Sequence, residues 1–349
     1  MRMPQLFQRA PGLAAVVPWL PLATLPTPIQ RIQVAAAAGA RELLVKRDDL
    51  TGTVYGGNKV RKLEFLLADA QRQGARRLIT AGAFGSHHAL ATTIYGRRLG
   101  FEVSCVLFPQ RLTPHVRDIL LMIAGNGAEL RYTRRLEGVP FGLLRARWAH
   151  RREPCCVVPP GGSSPLGTLG YVEAALELDA QIRAGECDVP SAIHVAAGTL
   201  GTAAGIALGL ALAGRSIPLV ATRITAPIVT NERVLEKLVR GALALMARAG
   251  IDLPDVPTVL ANVRLDHQQV GAGYGRETAA GRAATETFAH AGLQLDATYT
   301  AKAAAGVLAS PAGGPPLLFW HTLSRSEPIV ERPFDSATLP APFARAVAG

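Results

Sequence analysis

Apolar positions along the chain follow two patterns, and each predicts a different kind of secondary structure. In Lys59–Gln73 they recur about every three to four positions, which is the spacing of a helix that buries one face. The residues on this face are Val60, Leu63, Leu66, Leu67 and Ala70. Arg77–Ala81 is instead a short, largely apolar run, which is typical of a buried strand.

Strands and helices are predicted to alternate along most of the chain. The other predicted strands are Glu42–Arg47, Val103–Phe108, Glu129–Tyr132, Cys156–Val158, Ala192–Ala196, Leu219–Thr222 and Pro316–Trp320. The other predicted helices are Ile32–Ala38, Ala89–Arg98, Arg117–Ala124, Leu143–His150, Tyr171–Ala184, Ala203–Leu212, Asn231–Ala249, Gly281–Ala291 and Lys302–Ala309. This alternation favours an α/β protein with open, mostly parallel sheets flanked by helices.

The composition is that of a folded protein with a sizeable core. The 349 residues are 49% hydrophobic and 18% charged, which is too apolar for a disordered chain. The length predicts about two domains or one large α/β unit. The four cysteines have neither metal-binding nor paired spacing, so we expect reduced thiols in a cytoplasmic protein and no metal site.

Charge and hydropathy raise two alternatives, a nucleic-acid-binding protein and a membrane protein. The formal net charge is +11, but the arginines are scattered, without interleaved aromatic residues for base stacking. A solvated surface is the favoured interpretation, and we expect no nucleic-acid partner. Ser191–Gly214 carries no formal charge and is long enough to span a bilayer. Its glycines and strand-like first part favour a strand, a glycine turn and a buried helix, with a membrane span as the minor alternative.

A glycine-containing loop is the first candidate for chemistry. Its residues, Gly198, Thr199, Leu200, Gly201 and Thr202, lie between a predicted strand and a predicted helix. Backbone amides at a helix N-terminus, together with threonine hydroxyls, can bind a phosphate dianion. Glycine turns between strands and helices are also common without a ligand, and the spacing matches neither a Walker loop nor a dinucleotide fingerprint.

Lys59 is the second candidate, because Gly56, Gly57 and Asn58 place it at the start of a predicted helix. The positive end of the helix dipole lowers the affinity of an amine for a proton, which suits a nucleophile near neutral pH. The alternative is an ordinary solvated lysine. A phosphate cradle and an activated lysine together form the minimal set of groups for binding pyridoxal phosphate.

Two further groups of side chains could take part in a reaction. Ser86, His87 and His88 follow a predicted strand and precede a helix. Ser86 is a natural N-cap there, and no accompanying cluster of ligands supports a metal. Tyr274 and Tyr299 each lie beside small residues, as in a loop over a pocket or as half-buried phenols of the core.

At this point a family resemblance is visible along most of the chain, from about Leu22 to Thr322. The motifs, which occur in the family's order, are Lys46–Gly52 (KRDDLTG), Gly56–Glu64 (GGNKVRKLE), Pro159–Gly167 (PPGGSSPLG), Gly198–Thr202 (GTLGT), Gly273–Gly275 (GYG), Tyr299–Lys302 (YTAK) and His321-Thr322. With these motifs the chain resembles the D-cysteine desulfhydrase and 1-aminocyclopropane-1-carboxylate deaminase family. These are pyridoxal-phosphate enzymes with the tryptophan synthase β-like fold, known as fold type II.

The resemblance implies roles for the candidate residues. Lys59 would form the Schiff base with the cofactor and move the proton of the substrate Cα, and Gly198–Thr202 would hold the phosphate. Ser86 would act in proton transfer, or would bind the substrate carboxylate with the amides of Ser86–His88. Tyr274 and Tyr299 would line the substrate pocket, and Thr300 and Thr322 would lie near the pyridine nitrogen. His87 stands where the family has an asparagine that donates to the cofactor's 3′-oxygen.

The resemblance also implies an architecture and a reaction. Residues 56–160 would form a small α/β domain with Lys59, and residues 1–55 and 161–349 would form a large domain with the phosphate loop. The active site would lie in the cleft between them, and the protein would be a cytoplasmic homodimer. The implied reaction is a deaminating β-elimination on a small, D-cysteine-like amino acid, which gives a 2-oxo acid, ammonia and, from cysteine, sulfide. His88 and Thr300 match the desulfhydrase branch rather than the deaminase branch.

Departures from the family pattern leave alternatives open. The chain has His87 in place of asparagine, Ala301 in place of glycine, and Leu323 and Ser324 in place of two glycines. One alternative is a sibling enzyme: a 1-aminocyclopropane-1-carboxylate deaminase, a racemase, a β-replacement enzyme or an enzyme of a specialised biosynthetic step. Another is a non-catalytic binding protein with the same fold, and a basic nucleic-acid-binding module is the least favoured.

Overall fold

The structure is a computed structural model that describes residues 3–36, 39–311, 314–326 and 338–348. The chain divides into two compact units, and each has its own sheet. The first unit comprises Met1–Val17, Ala23–Lys62 and Ser163–Ser326. The second comprises Pro18–Leu22, Leu63–Gly162 and Glu327–Gly349.

Strands and helices alternate along most of the described chain. The strands are β1 (Ile29–Ala36), β2 (Gly39–Lys46), β3 (Arg77–Ala83), β4 (Glu102–Phe108), β5 (Glu129–Tyr132), β6 (Cys155–Val157), β7 (Ile193–Ala197), β8 (Leu219–Arg223), β9 (Val263–Asp266) and β10 (Leu317–Trp320). The helices are α1 (Gln5–Arg9), α2 (Leu13–Val16), α3 (Asn58–Arg72), α4 (His87–Arg98), α5 (Pro114–Gly125), α6 (Val139–Ala149), α7 (Pro165–Arg183), α8 (Gly201–Leu212), α9 (Glu232–Met246), α10 (Val256–Leu260), α11 (Ala279–His290), α12 (Thr300–Leu308) and α13 (Ala341–Ala348). Short 3-10 helices cover Asp48–Leu50, Leu136–Gly138, Pro160–Gly162 and Ala247–Ala249.

The first unit contains a mixed six-stranded sheet in the order β1-β2-β10-β7-β8-β9. Only the β1–β2 pair is antiparallel among these strands, and β10 runs parallel to both β2 and β7. Every residue of β7 is buried, because a central parallel strand is covered on both faces. Phe288 and Phe319 pack edge to face at 5.2 Å between ring centroids within the core under α11 and α12.

This topology gathers three loops at one edge of the first sheet. Since β2, β10 and β7 are parallel neighbours, the segments that follow them leave the sheet on the same side. The segment after β2 leads to Lys59, the segment after β10 contains Thr322, and the segment after β7 is Gly198–Thr202. The fold therefore brings residues that are far apart in the sequence to one edge.

The second unit contains a parallel four-stranded sheet in the order β5-β4-β3-β6. Ile79, Ala81 and Val106 of the central strands form a buried cluster with Val139 and Ala146 of α6. Both units thus have the expected class, an α/β fold with mostly parallel sheets flanked by helices.

One predicted element is wrong. The expected helix Ile32–Ala38 is part of β1 as far as Ala36, and residues 37–38 lie outside the described part of the chain. Residues of β1 pair antiparallel with β2, for example Ile32 with Leu43. This pairing buries Ile32 and Val34, and tertiary contacts of this kind override the helix preference of alanine.

The uncharged segment Ser191–Gly214 forms β7, the glycine loop and α8, as expected. Glycines let α8 pack closely on α7: a Cβ at Gly205 would lie 2.4 Å from Cβ of Tyr171. Within the described ranges, no helix is long and apolar enough to cross a membrane.

The division into units differs from the expected domain boundary at Gly56. The first turn of α3, through Lys62, belongs to the first unit, and the rest of the helix belongs to the second. The reason is packing: a Cβ at Gly170 of α7 would lie 2.2 Å from the carbonyl oxygen of Arg61, so the two helices are in direct backbone contact. Lys59 is therefore in the same unit as the glycine loop.

Candidate active site

The turn before Lys59 is held in place by backbone contacts that require glycine. Gly57 has φ +84°, and a Cβ there would lie 2.7 Å from the carbonyl oxygen of Thr322. The Gly57 amide donates to the Asp48 carbonyl at 2.9 Å, and the Asn58 amide donates to the Thr322 carbonyl at 3.1 Å. These bonds fix where α3 begins, and hence where Lys59 lies.

A buried network of charged side chains stabilises the same turn. Arg61 donates to Asp48 at 2.7 Å and to Glu177 at 2.9 Å, and Lys46 donates to Glu177 at 2.6 Å. All four side chains are at most 2% exposed, and their formal charges cancel. Although burial alone would raise it, Arg61 and Lys46 hold the pKa of Glu177 well below its usual range. The Lys46–Gly52 motif thus supports the site without forming it.

Lys59 carries an amine with an unusually low pKa at the loop edge of the first sheet. Burial lowers its pKa from 10.5 to about 8, and the negative charge of Asp296 only partly opposes this. Its Nζ donates to Oδ1 of Asn58 at 2.6 Å. An amine with this pKa is neutral far more often at neutral pH than an ordinary lysine, by about two orders of magnitude. The expectation of a lowered pKa agrees with the structure, with burial as the main cause.

Gly198–Thr202 forms the turn that leads from β7 into α8. Among the described residues, Leu200 is the only non-glycine residue with positive φ, at +64°. A left-handed backbone of this kind costs about 1–3 kcal/mol and is most often found at functional sites. Thr199 Oγ1 lies 2.6 Å from Oγ of Ser163, and the Gly201 amide donates to the same Oγ at 3.2 Å.

Lys62 is a site residue that the sequence analysis did not identify. Its Nζ lies 3.4 Å from Oγ of Ser163, and only 3.1 Å from the position that a Cβ of Gly201 would take. Burial and the nearby charge of Lys59 lower the pKa of Lys62 well below 10.5. A bound phosphate dianion would favour its charged form. The available signal was its position one helical turn after Lys59.

Asn58 connects the amine with the glycine loop. Its Oδ1 accepts from Lys59, and its Nδ2 donates to Oγ1 of Thr202 at 3.1 Å. Asn58 is only 9% exposed, so this contact is sheltered from water. The sequence analysis used Asn58 as a flanking residue and missed this role, because it depends on a residue far along the chain.

Tyr274 and Tyr299, which the sequence analysis names as separate candidates, contact each other. Their hydroxyl oxygens lie 2.9 Å apart, and their rings meet edge to face at 5.9 Å between centroids. Burial raises the pKa of both phenols. A Cβ at Gly198 would lie 3.3 Å from Cε1 of Tyr299, so the tyrosine pair lies directly against the glycine loop.

Thr300 is buried at the start of α12, where its hydroxyl is already engaged. Its Oγ1 donates to Oδ1 of Asp296 at 2.7 Å and accepts from the Asp296 amide at 2.7 Å. Thr322 contributes its carbonyl oxygen to the turn before Lys59. Ser324, at a position where the family has glycine, accepts from the Gly56 amide at 2.8 Å. This departure from the family pattern therefore supports the Lys59 turn.

The other three predicted site residues, Ser86, His87 and His88, lie in the second unit. Ser86 is the N-cap of α4 and accepts from the Ala89 amide at 3.1 Å. His87 Nε2 lies 3.1 Å from Nε2 of His115, and His88 Nε2 lies 3.0 Å from Oγ1 of Thr80. Because His88 is buried and bonded to a strand residue, it packs within the core of this unit.

The residues at the glycine loop fit pyridoxal phosphate. The loop amides, the hydroxyls of Thr199 and Thr202 and the Lys62 amine are donors of the kind that a phosphate dianion requires. A side chain at Gly201 would collide with Oγ of Ser163, so glycine at this position lets the loop pack directly against Ser163 and Lys62. Lys59 supplies an amine that can form an imine with an aldehyde. The fold and these groups define an enzyme that uses a phosphorylated aldehyde cofactor.

Comparison with known proteins identifies the family. A family model described as "Pyridoxal-phosphate dependent enzyme" matches residues 20–321. The chain therefore belongs to the pyridoxal-phosphate-dependent enzymes. The expected enzyme class, a pyridoxal-phosphate-dependent lyase, is confirmed together with the expected cofactor.

Individual relatives agree with this assignment. D-cysteine desulfhydrase from Salmonella paratyphi A is 33% identical over an alignment of 320 residues that covers 87% of this chain and 93% of that protein. A crystal structure described as an ACC deaminase homologue is 30% identical, with a TM-score of 0.75 and coverage of 92% of this chain and 95% of that chain. A hydrogen sulfide-producing enzyme from Fusobacterium nucleatum is 14% identical with a TM-score of 0.57, covers 92% of both chains, and shows the fold alone.

Proposed function

We propose that the protein catalyses a pyridoxal-phosphate-dependent, deaminating β-elimination on a small, D-cysteine-like amino acid. The observation that carries the proposal is the pairing of a low-pKa amine, Lys59, with a phosphate-binding loop that Asn58 connects to it. The relative at 33% identity is a D-cysteine desulfhydrase, which supports the choice of substrate class.

In this proposal residues of the first unit would hold the cofactor at two ends. Gly198–Thr202, Ser163 and Lys62 would hold its phosphate, and Lys59 would hold its aldehyde carbon until the substrate amine displaces Lys59 and frees its amine. When bound, the cofactor withdraws electrons from the substrate Cα and so acidifies the Cα–H bond. Proton transfer and contacts with the leaving group are the roles of the protein's side chains.

Lys59 removes the Cα proton in the proposed reaction. A pKa of about 8 makes its neutral amine abundant enough to accept a proton at neutral pH, and its ammonium acidic enough to return one. Asn58 Oδ1 lies within hydrogen-bonding distance and stabilises the ammonium as it forms. Loss of the Cα proton allows the β-substituent to depart as thiolate, and water then converts the remainder to a 2-oxo acid and ammonia.

Thr300 supports elimination over transamination. The resemblance puts this residue beside the ring nitrogen of the cofactor. Its only hydroxyl hydrogen is donated to Asp296, so it can offer a neighbour a lone pair but no negative charge. A neutral partner holds a proton on that nitrogen less firmly than a carboxylate would, so negative charge at Cα is dispersed less and the leaving group is expelled sooner.

Tyr274 and Tyr299 are the proposed contacts for the leaving group. Burial raises the pKa of both phenols, which keeps them protonated, and the hydroxyl hydrogen that is not used in their mutual hydrogen bond can be donated to a departing thiolate. Ser86, His87 and His88 are the proposed contacts for the substrate. We further propose that the protein is a homodimer in the cytoplasm. Light scattering of the purified protein tests the oligomeric state.

A sibling reaction is the second candidate, and His87 is the residue that favours it. An imidazole is bulkier than the family's asparagine, and here it is hydrogen-bonded to His115. A racemase would invert substrates without releasing ammonia, and a β-replacement enzyme would need an added nucleophile. A 1-aminocyclopropane-1-carboxylate deaminase would release a 2-oxo acid from the cyclopropane substrate.

Product analysis decides among these reactions. The pyridoxal-phosphate-loaded enzyme is incubated with matched D- and L-β-substituted amino acids and with 1-aminocyclopropane-1-carboxylate. We expect 2-oxo acid and ammonia in equal amounts from D-cysteine and related D-amino acids, with one sulfide per cysteine. Absence of 2-oxo acid from every β-substituted amino acid would reject the proposal.

A further inference from the structure

The side-chain amide of Asn58 forms hydrogen bonds with both Lys59 and Thr202 of the glycine loop. A protonated lysine has only hydrogen-bond donors, so the group 2.6 Å from Lys59 Nζ must be the carbonyl oxygen of the Asn58 side chain. The amide nitrogen of the Asn58 side chain, Nδ2, then donates to Thr202 Oγ1 at 3.1 Å. When Lys59 is protonated, the direction of both hydrogen bonds is therefore fixed.

Thr202 has one hydrogen left to donate. Its Oγ1 accepts from Asn58, and no acceptor for its hydroxyl hydrogen lies within the part of the chain that the structure describes. Thr202 is nearly buried in the first turn of α8, next to the loop amides. An anion at the loop would accept this hydrogen and complete a chain of hydrogen bonds that ends at Lys59.

We propose that Asn58 is a positioning residue that couples occupancy of the phosphate loop to the protonation of Lys59. This inference rests on the proposed function and adds a role for a residue that touches neither phosphate nor substrate. When the Thr202 hydroxyl donates to an anion, its oxygen becomes a better acceptor from Asn58. The Asn58 carbonyl then becomes a better acceptor from Lys59, because hydrogen bonds in a chain polarise one another.

The coupling gives the site an ordered response to its cofactor. The neutral fraction of Lys59 is larger with the loop empty than with the loop filled, and the neutral amine is the form that attacks an aldehyde. With the loop filled, the ammonium form is stabilised, which favours a lysine that can return a proton. Two other titratable groups are coupled to the amine and must be accounted for: Asp296, which raises its pKa, and Lys62, whose own pKa is lowered by burial and by the charge of Lys59.

Competitive acetylation of the cofactor-free protein tests the coupling. The rate at Lys59 is read from its peptide by mass spectrometry across pH, with exposed Lys237 as the internal reference and with or without saturating inorganic phosphate. In wild type we expect phosphate to slow acetylation of Lys59 near pH 7. Asn58→Ala removes an acceptor that stabilises the ammonium, so Lys59 in the empty site should react faster. The gain near pH 7 is at most about tenfold, because about one tenth of an amine with a pKa of about 8 is already neutral there.

The decisive comparison is the phosphate effect in the variants. The slowing of Lys59 acetylation by phosphate should be smaller in Asn58→Ala than in wild type. In this variant only the direct electrostatic attraction between the phosphate and the Lys59 ammonium remains. Thr202→Val breaks the chain at its other end and should reduce the effect in the same way at saturating phosphate. Asn231→Ala, which removes an N-cap asparagine of α9 in the same unit, is the matched control and should leave the phosphate effect unchanged.

An equal phosphate effect in wild type and both variants would overturn the coupling, and so would the absence of any effect in wild type. The proposed function is tested separately in the same samples, by mapping the pyridoxal phosphate adduct. An adduct on Lys59 without a coupling refutes only the role of Asn58, whereas no adduct refutes the proposed function. If Asn58→Ala does not fold, as judged by circular dichroism, Thr202→Val decides alone.

Discussion

Lys62 Nζ lies 3.4 Å from Oγ of Ser163, which itself accepts from the Gly201 amide and bonds with Thr199. A lysine amine and a serine hydroxyl therefore face the first residues of α8 together. Since Lys62 is buried and its pKa is lowered, a bound dianion is the group that would restore its charge.

Lys62→Met should weaken cofactor binding while leaving the Schiff-base lysine in place. A charge-assisted hydrogen bond contributes about 1.5–3 kcal/mol, so the Kd for pyridoxal phosphate should rise about ten- to hundredfold. Titration followed by the absorbance of the bound cofactor measures this. Lys237→Met, at an exposed position, is the control, and an unchanged Kd in Lys62→Met would exclude the phosphate role.

Lys59 should make the stability of the cofactor-free protein rise with pH. Its pKa is about 8 when folded and 10.5 when unfolded. Between these two values the unfolded chain binds more protons, so the free energy of unfolding increases with pH across that window. Below pH 8 the buried charge destabilises the fold, and Lys59→Met should be more stable than wild type there. Urea unfolding of both proteins at pH 7.5 and pH 10 should show this gap closing, and a constant gap would contradict the assigned pKa.

Removal of one phenol should separate catalysis from cofactor binding. Tyr299→Phe loses the 2.9 Å contact with Tyr274 but keeps the ring packing. If Tyr299 donates to the leaving group, kcat should fall by about 10²-fold or more while cofactor absorbance persists. Tyr132→Phe, at an exposed position of the second unit, is the control. Wild-type kcat in both Tyr299→Phe and Tyr274→Phe would remove the tyrosines from the proposed chemistry.

The buried network under Lys59 should be costly to break. Arg61→Met leaves Asp48 and Glu177 without their shared partner in a buried site, which should cost about 3–5 kcal/mol of unfolding free energy. Arg72→Met, on the same helix, breaks an exposed pair with Asp69 and should cost less than about 1 kcal/mol. Chemical denaturation compares the two variants, and equal losses would show that the network does not stabilise the fold.

The sequence predicted the alternation of strands and helices well, because buried parallel strands and one-sided helices have distinct hydrophobic patterns. It predicted β1 wrongly, because an alanine-rich segment has no pattern that reveals an antiparallel partner. The strand β9 and the short helix α10 were not predicted at all. These are short elements, and their stability comes from neighbours that are distant in the sequence.

The site was predicted as far as local motifs reach. Lys59 and Gly198–Thr202 follow from glycine patterns next to helix starts. Tyr274 and Tyr299 were separate candidates, and the sequence did not predict the contact between them. Lys62 and Asn58 were missed, because their partners Ser163 and Thr202 are more than a hundred residues away. Only the parallel order of β2, β10 and β7 shows that these segments meet.

The most direct test of the account is borohydride reduction of the protein loaded with pyridoxal phosphate, followed by peptide mass mapping. The loaded protein should absorb near ~420 nm, as expected for a lysine-bound pyridoxal cofactor, and lose this band on reduction. The account predicts the reduced adduct on Lys59. An adduct on Lys62 or Lys302, or a protein that takes up no cofactor, would contradict it.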